Sequence, residues 1–141
     1  MQLLSYVMLG MFFFMHAAML FIFLAYGIMP LFYFNIGSAV FYACGLLLIF
    51  KKKFATAVFL SFCEIVSYMV TAIIITGWDG GFQITLIGIC ILLAYAEYAG
   101  RSLKLPYVKA LYLAPLAMVG YIVSYIVSVN FTAPYPLPLE L

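Results

Sequence analysis

The sequence predicts an all-α fold, a polytopic transmembrane helix bundle of five spans, and three observations carry that prediction. The chain is 70% hydrophobic and 7% charged, whereas a soluble domain is about a quarter charged. Its apolar residues fall into five runs, each near the roughly 20 residues that cross a bilayer. Its lysines and arginines are confined to two of the connections between runs. A soluble fold of this size could not hide so much apolar surface. Barrel strands would be about ten residues long and alternating, and these runs are neither.

The spans are 3–27, 31–50, 54–76, 82–99 and 107–129. The first stops at "GIMP" with Pro30, and the second at Lys51, Lys52 and Lys53. The third stops at "GWDGG", and the fourth at "GRSLKLP". The connections are short, so consecutive helices are antiparallel neighbours. Residues 130–141 hold Pro134, Pro136 and Pro138 and cannot continue a helix. They read as a Pro-rich external tail, or as the start of a loop to a missing sixth span.

Charge sets the orientation. All six basic residues are Lys51 to Lys53, between spans two and three, or Arg101, Lys104 and Lys109, between spans four and five. The positive-inside rule puts both groups in the cytoplasm. The N-terminus is then cytoplasmic, and "GWDGG" and the tail are external. Tyr26, Phe32, Tyr33, Trp78, Phe82 and Tyr135 fall at the outer ends, and Phe50, Phe54, Tyr98 and Tyr107 at the inner ends, as aromatic belts should. The net charge of +2 is too small to indicate a nucleic-acid partner. The expected surroundings are the lipid bilayer of a cell membrane.

Ionisable groups inside a membrane are costly and need an account. His16 lies midway along span one, Glu64 midway along span three, and Glu97 near the inner end of span four. At 1.5 Å per residue, His16 and Glu64 lie about 16 Å and about 20 Å below the outer ends of their spans. An imidazole and a carboxylate at one depth can share a proton or pair. Other readings of these residues are a buried structural hydrogen bond, a ligand-sensing pocket, or a proton or cation path. Ala57, Ser61, Glu64, Tyr68 and Thr71 share one stripe of span three, as helix-contact residues do. Val58, Ile65, Ala72 and Ile73 lie opposite. Glu97 and Arg101, four residues apart, suit a structural ion pair.

Small residues at spacing four mark candidate packing lines: Gly120, Ser124 and Ser128 in span five, Ala39 and Ala43 in span two. These lines could serve within the bundle or between two protomers. Asn35, near the outer end of span two, reads as interhelical glue or as a ligand contact. In "TGWDGGFQ", Gly77, Gly80 and Gly81 permit a turn with positive φ. Asp79 can cap the next helix, and Trp78 fits an interfacial anchor. The cysteines, Cys44, Cys63 and Cys90, all lie in apolar runs and read as small buried hydrophobes. There is no catalytic triad, phosphate loop or nucleotide fingerprint. A single histidine excludes most metal and haem sites by count. No catalytic residue, metal or cofactor is expected.

"MPLFYFNIGSAVFYACGLLLIFKKK" and "FATAVFLSFCEIVSYMVTAIIITGWDGGFQ", together 29–83, resemble the N-terminal membrane regions of clostridial-type bacterial signalling proteins. In those, the membrane part precedes a GGDEF diguanylate cyclase, a nucleotide cyclase or a histidine kinase. The resemblance highlights Asn35, Glu64, Trp78, Asp79, Phe82 and Gln83. It implies a membrane sensor or signal-input module that acts on a cytoplasmic output domain in cis or a partner in trans. The sequence departs from that pattern by stopping before a sixth helix and an output domain: either it is an excised fragment of a cyclase-type signalling protein, or it is a short stand-alone relative, to which no cyclase activity carries over. With His16, the resulting sensing candidates are Asn35, Glu64, Trp78, Asp79 and Gln83. Two other classes stay open: a small transporter or channel using Glu64, and a structural assembly protein using the small-residue lines.

Overall fold

A computed structural model describes residues 2–102, 104 and 107–137. Among them, the regular structure is entirely helical: α1 (Gln2–Ala25), α2 (Met29–Phe50), α3 (Phe54–Thr76), α4 (Phe82–Ser102) and α5 (Ala110–Asn130). A one-turn 3-10 helix, Trp78–Gly80, lies between α3 and α4. All five α-helices are long and apolar enough to cross a membrane. Pro138 and the rest of the tail lie outside the described residues. The chain divides into two compact units, Met1–Ser61 and Phe62–Leu141, with the boundary inside α3.

The first unit is built on the α1–α2 hairpin. The buried residues of α2 are Leu31, Asn35, Ser38, Tyr42, Gly45 and Ile49. They alternate by four and three, the 3.5-residue repeat of a supercoiled helix pair. On α1 the buried positions Leu9, His16 and Phe23 are seven apart and keep the same phase. The contacts run antiparallel. Tyr6 meets Phe50, Phe12 meets Tyr42, and Leu9 fills the space beside Gly45, where an added Cβ would come within 2.9 Å.

Backbone chemistry ends both helices in the same way. Gly27 sits at φ 69°. Ile28 N–H donates to Phe23 O, and Gly27 N–H to Leu24 O, the paired bonds of a Schellman cap. Pro30 does not stop α1 but sits in the first turn of α2, where its missing N–H costs nothing. At the other end of α2, Lys53 N–H donates to Leu48 O and Lys52 N–H to Ile49 O. There the left-handed position is a lysine, Lys52, at φ 58°.

The second unit contains the rest of α3, then α4 and α5. α4 and α5 pair closely, and α5 buries Leu113, Ala117, Gly120 and Ser124, again spaced four, three, four. Gly120 lies against α3: an added Cβ would meet Val70 at 3.0 Å and Val66 at 3.2 Å. α3 is the most buried of the five helices. Its buried surface is broad and includes Ser61, Tyr68, Ile65, Ala72 and Ile73, from both of the faces distinguished in the sequence. Val58 is exposed, while Glu64 and Thr71 are half-buried.

α5 begins at Ala110, three residues after the 107 expected, for a local reason. Lys109 is extended, and the Glu97 carboxylate accepts from Ala110 N–H at 2.7 Å. A first-turn amide has no partner inside its own helix, so this acceptor fixes where α5 starts.

Candidate functional site

Two places collect the polar residues. The first is inside the α1–α2 hairpin. Asn35 Nδ2 donates to Leu31 O at 2.8 Å in its own helix. This leaves Asn35 Oδ1 to accept, and His16 Nδ1–H donates to it at 2.7 Å. The His16 ring stacks on Tyr42, with centroids 5.3 Å apart and planes 22° apart. His16, Asn35, Ser38 and Tyr42 are all buried. A hydrogen bond across membrane helices contributes about 0.6–2 kcal/mol, so this cluster fixes register as well as adding stability.

The second place is the far end of α3. Gly77, at φ 91°, turns the chain out of α3 into the Trp78–Gly80 turn, and its N–H closes on Ile73 O at 2.8 Å. The Pro-rich segment then returns to the same point. Tyr135 N–H donates to Ile75 O at 3.0 Å and Leu137 N–H to Thr76 O at 3.4 Å. These bonds cap carbonyls that a helix end leaves without partners. Trp78 lies edge-to-face with Tyr121 and Tyr125 of α5, at 5.2 Å from each. Such aromatic pairs contribute about 0.5–1.5 kcal/mol each beyond burial.

Between these parts is a cavity of about 590 Å³. Its walls are the last turns of α3 and α5, the turn with Trp78 and Asp79, and the segment up to Leu137. That volume falls in the usual range of small-molecule sites, about 300–1,000 Å³. Most nearby hydroxyls are already committed to their own helices. Ser67, Thr71, Thr76 and Ser124 each donate to the carbonyl four residues back. Ser128 lines the cavity, and its Oγ is buried with no hydrogen-bond partner.

The sequence candidates fall in both units. His16 and Asn35 meet in the α1–α2 cluster. Trp78 and Asp79 line the cavity, with Ser128. Glu64 is half-buried on α3, in the second unit. Gln83 is in the first turn of α4, its Oε1 buried without a partner, and it does not line the cavity. Glu97 pairs with Arg101 and also accepts from Ala110 N–H, so it joins two helices. Of the small-residue lines, Gly120 and Ser124 are buried. Ala39 is half-buried and Ala43 exposed. Within the chain, the packing face of α2 is made instead by Ser38, Tyr42 and Gly45. These residues were missed in the sequence, although their four–three spacing was there to be read.

Comparison with protein-family models, with curated proteins and with solved structures finds no match.

Proposed function

We propose that the chain is a membrane-embedded signal-input module, without catalysis of its own, that responds to a ligand on the outer side of a cell membrane. The observation that carries this reading is the cavity at the end of α3. It is large enough for a small molecule, and its wall is hydrogen-bonded directly to the last turn of that helix. A ligand that fills the cavity bears on α3 through Tyr135 and Leu137. It can therefore bias one packing of the helices over another, provided it binds one better.

The orientation follows from charge. Lys51 to Lys53 and Arg101, Lys104 and Lys109 occupy the opposite ends of the helices, and the positive-inside rule assigns those ends to the cytoplasm. The cavity is then external, and the signal passes inward to an output domain or partner. The likeness of 29–83 to membrane regions of bacterial signalling proteins supports the same reading.

A fusion tests it. A sixth span and a cyclase reporter are attached after Leu141, and Asp79→Asn and Glu64→Gln are compared with the parent. Altered reporter output in either variant is the expected result. Output that is unchanged by both, at equal membrane expression, removes the signalling role.

A further inference from the structure

We propose that the cavity binds an organic ammonium group. The inference deepens the signal-input reading and depends on it for its biological role, though not for the binding itself.

Electrostatics selects the sign. Among the described residues, Asp79 is the only charged side chain in the cavity wall. The wall also includes the C-terminal turns of two helices, Ile73 to Thr76 of α3 and Val127 to Asn130 of α5. A helix C-terminus carries partial negative charge on its unpartnered carbonyls and favours cations, more so at α5 than at α3, where Ile73, Ile75 and Thr76 O already accept backbone N–H groups. The basic residues of this unit, Arg101, Lys104 and Lys109, precede α5. A helix of 21 residues separates them from the cavity, about 30 Å at 1.5 Å per residue. Among the described lining residues an anion meets no counter-charge, whereas a cation meets the Asp79 carboxylate and the end of α5.

Size and lining select the kind of cation. A bare metal ion needs several oxygen ligands at about 2–2.6 Å, and among the described residues no group of three His, Cys, Asp or Glu side chains stands here, while Ile, Val, Pro and Leu side chains make up much of the wall of this cavity of about 590 Å³. An ammonium carrying carbon groups fits both the apolar wall and the charge. Trp78 and Phe131 line the cavity, and aromatic faces attract such groups, tryptophan most strongly. The same chemistry is offered by a free quaternary amine and by a lipid headgroup.

Trp78 is the only tryptophan, so intrinsic fluorescence reports on this site alone. The full chain in maltoside micelles is titrated with choline chloride, with 3,3-dimethyl-1-butanol as the uncharged isostere and sodium chloride as the ionic control. The expected result is a saturable emission change with choline. The isostere should bind at least about tenfold more weakly, a difference of about 1.4 kcal/mol, and sodium chloride should give no saturable change. Asp79→Asn should weaken choline by a similar factor. If that variant does not fold, the choline–isostere comparison on the parent chain decides alone. Equal responses to choline and its isostere overturn the proposal, as does no saturable change up to about 10 mM choline, beyond ordinary weak binding.

Nanodiscs distinguish the sources. If the ligand is free, choline still binds in phosphatidylglycerol discs and in phosphatidylcholine discs. If it is a headgroup, phosphatidylcholine discs shift the emission by themselves and abolish the response to added choline. Choline binding with a silent reporter keeps the ammonium site and removes the signalling role. A reporter that responds to Asp79→Asn without choline binding does the reverse.

Discussion

The α1–α2 cluster and the cavity at the end of α3 are both polar places in an apolar chain, and they are built in opposite ways. In the hairpin, His16, Asn35 and Tyr42 are held by one another. Asn35 spends its donor on Leu31 O and its acceptor on His16, and Tyr42 covers the imidazole. At the end of α3, Asp79 is exposed, the Ser128 hydroxyl has no bond, and space remains between them. A group whose bonds are made inside the fold adds stability. An exposed charge such as Asp79, beside open space, adds little to stability and is available to a ligand.

The largest effect that separates the two regions is at Tyr42. It is fully buried and stacks on both His16 and Phe12. Tyr42→Ala should cost about 3–5 kcal/mol, the range for deleting a buried aromatic ring, measured by unfolding in mixed micelles. A loss below about 1 kcal/mol would show that the ring is not part of a packed seam. Next is Asn35→Leu, which leaves the His16 Nδ1–H buried without its acceptor and should cost about 1–3 kcal/mol. Adding His16→Leu should return part of that loss, because removing both partners of a buried bond is nearly neutral. A double mutant as unstable as the sum of its single variants would rule out the bond as the coupling between them.

A smaller effect, of opposite sign, belongs to the hairpin's end. Lys52 holds a left-handed backbone position that Gly27 holds at the other turn. Lys52→Gly should stabilise by about 0.5–1 kcal/mol, since a side chain there costs roughly 1 kcal/mol. A loss of stability on the same denaturation curve would contradict the cap geometry. The smallest effect is at Ser128. Ser128→Ala should change stability by less than about 0.5 kcal/mol, because no bond is lost. A cost above about 1 kcal/mol would mean that the hydroxyl is structural, and the contrast between the two regions would weaken.

Much of the helical layout was legible because hydropathy and punctuation are local. Span 54–76 coincides with α3, and the glycines of "GWDGG" mark its end. His16 and Glu64 were legible as ionisable groups inside apolar helices, but that does not say which way a side chain points. Direction needs the seam of the neighbouring helix. On α2 that seam, Leu31 to Ile49 by fours and threes, passes through Asn35 and turns it towards His16. The spacing-four pair Ala39 and Ala43 drew attention to a different face. The cavity was half legible. Trp78 and Asp79 stood out as odd residues, whereas the Pro-rich segment closes the wall through backbone N–H groups at Tyr135 and Leu137. Backbone bonds across such a separation leave no side-chain signature.

Those two backbone bonds also bear on how the protein is made. α3 leaves the ribosome well before its last carbonyls have partners, because the amide that caps Thr76 belongs to Leu137, 61 residues later in the chain. Two further helices must be synthesised and inserted before the far end of α3 can be finished. Until then that end is held by the Gly77 turn alone. Docking of the Pro-rich segment therefore comes after α4 and α5 have been made, and it completes the most buried helix and closes the cavity wall in one event.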